Sequence, residues 1–184
     1  MKQFLLIIFF IFNVVLVFGQ HDSINQNHSK NTVYFEMLGN SIGYSLNYDR
    51  LLISSEKFKT AGRIGLSYFP PVIPPEHFIV MPIEISELIL LGRKKHYFEI
   101  GAGLTLNYQL YQGNNNSYFG NDYINRSLKT IAVFRLGYRY QKENGGFFWK
   151  AGLTPLYEIT NNNDERMIVP NMFGIAVGYT LRKK

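Results

Sequence analysis

The chain has 184 residues, a formal net charge of +6 and no cysteine, a length that suits one ordinary domain. Charged residues make up 17% and aromatic residues 16% of the chain, which excludes a disordered, collagen-like or coiled-coil protein. The lack of cysteine excludes disulfides, thiolate metal sites, a cysteine nucleophile and a lipoprotein anchor. The basic residues are spread along the chain and form no concentrated stripe, so we expect no nucleic-acid partner.

The first residues, 1–19, have the pattern of a secretory signal peptide. Lys2 precedes an apolar run that is too short for a comfortable transmembrane helix. Val17 and Gly19 are small enough for a signal peptidase site, so we expect cleavage near Gly19 and export of the mature chain. A retained N-terminal anchor helix is the alternative.

We expect a flexible segment over residues 20–31 and one folded domain over residues 32–184. The folded domain is dominated by apolar residues that alternate with polar residues or glycine, which is typical of β-strands. Between residues 97 and 110, the even positions are apolar or aromatic and most odd positions are polar or glycine. The same alternation recurs over residues 42–49, 63–68, 78–91, 132–140, 147–154 and 173–181. Glu87 interrupts it, so a bulge or a strand end is expected nearby.

The predicted connections between these strands alternate in length. Short turns are expected at residues 92–95 and 142–146 and a modest one at 54–60. The connection at residues 70–76 is intermediate, and longer loops are expected at 112–126 and 160–170. A transmembrane β-barrel has this arrangement, because its periplasmic turns are short and its outer loops are longer.

The number of strands depends on the chain around Gly39. From residue 41 onward we count seven strands, and residues 32–38 provide an eighth if Gly39 and Asn40 form a tight turn. Apolar residues stand at odd positions before Gly39 and at even positions after it, which favours the turn. We therefore predict an all-β, eight-stranded antiparallel transmembrane barrel with up-and-down meander topology. The alternative is seven long strands with a bulge at Gly39.

The polar face of the strands distinguishes a membrane barrel from a soluble sheet. In a soluble sheet this face would be crowded with charged and amide side chains, whereas here it is rich in glycine and serine with isolated charges of both signs. Glycine suits the crowded lumen of a small barrel, and buried charges must be paired. We therefore expect lipid on the apolar face and a lumen plugged by an interior charge network. Its expected members are Glu36, Asp49, Arg63, Glu84, Glu99, Arg135, Arg139 and Lys150.

Aromatic residues near the predicted strand ends indicate two girdles at the membrane interfaces. They include Tyr68, Phe69, Tyr97, Phe98, Tyr108, Tyr111, Tyr138, Tyr140, Phe147, Phe148, Trp149, Tyr157 and Tyr179. Basic residues, among them Lys57 and Lys59, fall on the predicted periplasmic side, where anionic headgroups are the expected partners.

Several strings of residues resemble a family of small, mostly uncharacterised outer-membrane β-barrel proteins of Gram-negative bacteria. These strings are YSLNYDR at 44–50, LGRKKHYFE at 91–99, GYRYQ at 137–141, GGFF at 145–148 and AGLTPL at 151–156. The resemblance implies insertion in the cell outer membrane and carries no reaction. We expect a monomer whose partners are outer-membrane lipids, including lipopolysaccharide, and the barrel-assembly machinery. One departure is Leu181 with its basic tail, where such barrels commonly end on an aromatic residue.

A lipid-modifying enzyme of the lipid A deacylase or acyltransferase type is the main alternative function. A serine nucleophile needs a histidine base and an acid that orients it. His77 lies near the expected outer rim, but the residue two positions later, which shares its strand face, is Ile79 and not a serine. Phe98 stands in the same relation to His96. The spacing of histidines and acids predicts no metal site.

We therefore expect no catalytic residue, no cofactor and no metal. The function predicted from the sequence is a structural or surface-interaction role through the outer loops at residues 70–77, 112–126 and 160–171. A narrow pore or transporter is a further alternative, although the lumen of eight strands leaves little room for a water path.

Overall fold

The computed structural model describes residues 29–41, 43–70, 76–92, 95–113, 123–159, 168–170 and 172–182. Its elements are β1 (Asn31–Leu38), a 3-10 helix (Gly39–Ser41), β2 (Tyr44–Ser54), β3 (Phe58–Phe69), β4 (Glu76–Leu90), β5 (His96–Gly113), β6 (Tyr123–Gln141), β7 (Gly146–Leu153), β8 (Leu156–Glu158), β9 (Ile168–Val169) and β10 (Phe173–Thr180). The predicted signal peptide and most of the predicted flexible segment lie outside these residues. In the part of the chain that is described, no helix is long and apolar enough to cross a membrane.

The ten strands form a closed barrel with eight antiparallel staves, which we call barrel strands. Strands β1 to β6 pair in sequence order, and β10 pairs with both β7 and β1, which closes the sheet. Strands β7 and β8 pair with β6 in one continuous register, so together they form the seventh barrel strand, interrupted at Thr154 and Pro155. Strands β9 and β10 form the eighth. The predicted eight-stranded meander is confirmed.

The turn after β1 excludes the seven-strand alternative. Leu38 and Gly39 have positive φ angles of 59° and 66°, and the chain reverses through the 3-10 helix. The Leu38 amide donates to the Gly43 carbonyl at 2.5 Å. The connection is longer than the expected two-residue turn, because β1 ends at Leu38 and β2 begins at Tyr44. Asn40 and Ser41, which belong to this connection, are buried.

The two ends of the barrel differ. At the end where β1 begins and β10 ends, the turn end, residues 55–57, 91–95 and 142–145 connect the strands. At the opposite end, the loop end, the connections after β3, β5 and β8 are longer. Strands β5 and β6 have 18 and 19 residues, whereas β1 has 8, so the wall is tallest at the β5–β6 side.

Side chains alternate between an inner and an outer face along each strand, as the sequence predicts. In β2, for example, buried and exposed residues alternate from Tyr44 to Arg50. Of the two outcomes expected near Glu87, a bulge or a strand end, the structure has the strand end: β4 keeps one register with both neighbours and ends at Leu90. Glu87 faces outward and accepts a hydrogen bond from Thr60 Oγ1 at 2.8 Å. The irregular register lies between Leu51 and Ile53 in β2.

Candidate functional site

The outer face of the barrel wall is apolar. Leu46 is 60% exposed, Ile85 58% and Leu104 45%, and these residues lie at mid-strand rather than in turns. Other exposed apolar residues on this face are Val33, Phe35, Met37, Ile64, Leu66, Ile83, Ile100, Phe134, Leu136, Leu153, Ile175 and Val177. A soluble monomer rarely exposes a continuous apolar surface of this extent.

The inner face is polar and charged. The structure places all eight residues of the expected charge network inside, where each is at most 4% exposed. They form two groups of four, which we call the loop-side quartet and the turn-side quartet. Each group contains two carboxylates and two cations, so the formal charge of each is zero.

The loop-side quartet consists of Glu36, Arg63, Glu84 and Arg135, which project from four different strands. Arg63 Nη2 donates to Glu36, and its Nη1 lies 3.3 Å from Glu84 Oε2. Arg135 donates from Nε to Glu84 and from Nη2 to Glu36, both at 2.8 Å. Each arginine therefore bridges both carboxylates, and the four side chains cross the lumen.

Three neutral residues complete the hydrogen bonds of this quartet. Asn40, from the 3-10 helix, donates to Glu84 and accepts from Arg135 Nη2 at 3.0 Å. Asn47 accepts from Arg63 Nε and Nη2, and Ser86 donates to Glu84 at 2.8 Å. Strand parity already places Asn47 and Ser86 inside, whereas nothing in the alternation indicates the turn residue Asn40.

The turn-side quartet consists of Asp49, Glu99, Arg139 and Lys150. Arg139 donates to both oxygens of Asp49 at 2.9 Å in a bidentate pair, which is the strongest geometry for this pairing. Lys150 Nζ lies 3.0 Å from Glu99 Oε1, and Arg139 Nη1 lies 3.7 Å from the same oxygen. Arg139 also donates to Gln141, which extends the network toward the turn end.

Tyr34 lies between the two quartets. The Arg63 guanidinium carbon and Lys150 Nζ lie 5.5 Å and 5.0 Å from the centre of its ring. The Phe148 ring lies 5.0 Å from Tyr34, and the Arg139 guanidinium lies over Phe148 at 4.9 Å. These cation–π contacts join the quartets into one packed column inside the barrel.

The predicted aromatic girdles require a correction. Phe69, Tyr97 and Phe148 face the lumen, because their strand positions share the parity of inward residues. Outward aromatic contacts do occur at both ends. Tyr44 stacks on Phe35 toward the loop end, with ring centres 6.0 Å apart. The Tyr138–Trp149 and Tyr140–Phe147 pairs lie toward the turn end.

Lys59 also differs from its predicted role on the periplasmic surface. Its side chain turns inward and is 4% exposed, and Nζ lies 3.2 Å from Glu143 Oε1. Nζ also donates to the Tyr97 hydroxyl at 2.9 Å. An inward aromatic and a turn carboxylate thus hold this lysine at the turn end of the lumen.

The two strand histidines pair with tyrosines rather than with serine and acid partners. His77 Nδ1 lies 2.8 Å from the Tyr68 hydroxyl, and His96 Nδ1 pairs with the Tyr138 hydroxyl. Within the described ranges, no group of three or more histidine, aspartate or glutamate side chains has the arrangement of a metal site.

Comparison with known proteins supports the fold. No protein-family model matches the chain, and no curated protein matches it. The crystal structure of the N-terminal β-barrel domain of Pseudomonas aeruginosa OprF is similar, with a TM-score of 0.50 and 18% sequence identity. The match covers 84% of this chain and 97% of the OprF domain.

Proposed function

We propose that the protein is an outer-membrane β-barrel with a plugged lumen, and that it acts as a structural or surface-interaction protein through its loop end. The observation that carries this proposal is the inverted polarity of the wall. Apolar side chains such as Leu46 and Ile85 face outward, while Glu36 and Arg135 are buried in the lumen. In this arrangement hydrocarbon covers the outer face, and the pairing of β1 with β10 closes the sheet, as a β-structure in lipid requires.

The two quartets support the plugged lumen. Their side chains come from strands on opposite sides of the barrel and meet in salt bridges, and the aromatic rings of Tyr34 and Phe148 fill the space between them. Since each quartet is neutral and hydrogen-bonded, neither leaves an isolated charge that would draw ions through. An eight-stranded barrel is narrow enough for side chains to fill it.

The asymmetry of the connections supports a role at the loop end. By the rule for bacterial barrels, the short turns face the periplasm and the longer connections face outward. Residues 70–75, 114–122 and 159–167 are then the parts of the barrel that a partner outside the cell can reach. Binding and recognition residues occur more often on such loops than on the scaffold that holds them.

Cell fractionation combined with gel mobility tests membrane insertion. We expect the protein in the outer-membrane fraction, where unheated samples migrate differently from heated samples because the barrel stays folded in detergent. A protein that stays in the aqueous phase without detergent, with one mobility under both conditions, would contradict the proposal.

Electrical recording across a planar bilayer tests the plug. The folded barrel should give no discrete conductance steps. Heat-modifiable mobility of protein recovered from the bilayer lipid verifies that it has inserted. Regular single-channel steps would instead identify a pore and would leave membrane insertion itself intact.

A further inference from the structure

A cavity of about 280 Å³ occupies the loop end of the lumen, above the loop-side quartet. Its apolar lining includes Phe69, Phe78, Val80 and Ile131, and its polar lining includes Ser41 and Asn107. The inner face thus changes from charged to mainly apolar between the quartet and the rim. The lining has no charged side chain among the described residues.

Two polar atoms at this cavity have no hydrogen-bond partner within the described part of the chain. Ser41 is 2% exposed and its Oγ is unpaired, and the Oδ1 atom of Asn107 is buried and unpaired as well. A buried polar group without a partner is costly, and such groups are exceptional in folded proteins. A ligand with a hydroxyl or an amide N–H could donate a hydrogen bond to either of these atoms.

The neighbouring polar groups are already occupied, which limits what a ligand can bind. The side-chain amide of Asn40 donates to Glu84 and accepts from Arg135, and the backbone carbonyl of Asn40 accepts from Thr105 Oγ1 at 3.1 Å. The quartet beneath is neutral, so it attracts neither an anion nor a cation. Because an apolar cavity of about 150 Å³ accepts one benzene molecule, a cavity of this size accepts about two fused rings or a comparable branched chain.

We infer that this cavity is a binding site for a small uncharged amphipathic molecule with a compact apolar body and one hydroxyl or amide donor. The apolar body contacts Phe69, Phe78, Val80 and Ile131, and the donor bonds to Asn107 Oδ1 or Ser41 Oγ. The quartet closes the floor, so the ligand enters and leaves at the loop end. This inference goes beyond the proposed function, because it concerns the lumen rather than the wall or the outer loops.

Equilibrium dialysis with naphthalene-2-methanol tests the inference. The full-length mature protein is folded into lipid nanodiscs, and probe bound by empty nanodiscs is subtracted. Val80→Phe places an aromatic ring in the cavity, while Ile83→Phe adds the same ring to the lipid face of the same strand as a matched control. Heat-modifiable mobility verifies that each variant is folded.

We expect saturable binding of one probe per barrel, retained in Ile83→Phe and reduced at least tenfold in Val80→Phe. Asn107→Leu removes the acceptor with little change in volume and should weaken binding about fivefold, and this variant replaces Val80→Phe if the latter does not fold. Naphthalene, which lacks the hydroxyl, and the anion 2-naphthoate should both bind more weakly than the alcohol. Absence of saturable binding, or equal binding to wild type and a folded Val80→Phe variant, would overturn the inference.

Discussion

Arg135 is one of the two cations that hold both Glu36 and Glu84 in the lumen, a role that it shares with Arg63. Replacing it with alanine leaves both carboxylates with Arg63 as their remaining cation, in a site where water does not compensate. We expect Arg135→Ala to lower the free energy of unfolding by about 3–5 kcal/mol. Urea-induced unfolding in phospholipid vesicles measures this loss.

A charge-balanced variant separates lost charge from lost volume at the same position. Arg135→Met with Glu84→Gln keeps the bulk of both side chains and removes one charge of each sign. We expect it to be more stable than Arg135→Ala, because a neutral pair costs less to bury than an uncompensated carboxylate. Equal stability of wild type and Arg135→Ala would mean that the inner face is wet.

A substitution at Leu104 tests the outer face of the wall. The Leu104 side chain is 45% exposed at the middle of β5, between residues that face the lumen. Arginine at this position should cost about 2–4 kcal/mol of stability in bilayers. Leu104→Met, which stays apolar, serves as the control in vesicle unfolding, and an arginine variant as stable as the control would place this residue outside the hydrocarbon.

Strand parity is sufficient to predict which residues face the lumen, because successive side chains in a strand point to opposite faces. It also places Phe148 on the side of Lys150, and Tyr97 on the side of Glu99. The girdle prediction failed at these positions because residue type was given more weight than parity. Parity cannot identify salt-bridge partners, since these depend on the curvature that brings β1 and β6 together across the lumen.

At the scale of elements, the sequence predicts the strands better than their irregularities. The break between β7 and β8 occurs at Thr154 and Pro155, where proline supplies no amide, yet the register with β6 continues across it. The register against β7 and β8 shifts by one residue between β9 and β10. A single shift of this kind depends on closing the barrel, and the local pattern of apolar residues does not encode it.

The turn between β1 and β2 provides a second test at the element scale. Gly39 has a φ of +66°, and a Cβ atom at this position would lie 3.0 Å from Glu36 Cδ. Gly92 has a similar φ of +68°, but a Cβ atom there would meet no atom of the described residues within 4 Å. Both alanine variants therefore carry backbone strain of about 1–2 kcal/mol, and only Gly39→Ala also displaces the Glu36 carboxylate.

We expect Gly39→Ala to be clearly less stable than Gly92→Ala in the same vesicle unfolding experiment. The difference between the two variants measures the contact with Glu36, because the backbone strain is common to both. If both variants lose the same stability, the turn does not support the loop-side quartet.

For the whole molecule, the polarity of the two faces of the wall can be predicted from the sequence, whereas the chemistry of the loop end cannot. The polarity of the faces depends on period-two alternation, which every strand repeats, so the sequence alone predicts it. The chemistry of the loop end depends on how the 3-10 helix packs under the rim, and alternation says nothing about such a turn. The cavity beside Ser41 and Asn107 is therefore visible only in three dimensions.

The orientation of the barrel can be tested directly, because the natural chain has no cysteine. Ser127 is exposed on β6 toward the loop end, and Asn144 is exposed in a turn at the opposite end. With the loop end outward, a high-molecular-weight PEG-maleimide should label Ser127→Cys in intact cells and Asn144→Cys after the outer membrane is permeabilised. The cysteine-free parent is the control for background labelling. Labelling of Asn144→Cys but not Ser127→Cys in intact cells would reverse the orientation, and the cavity would then open toward the periplasm.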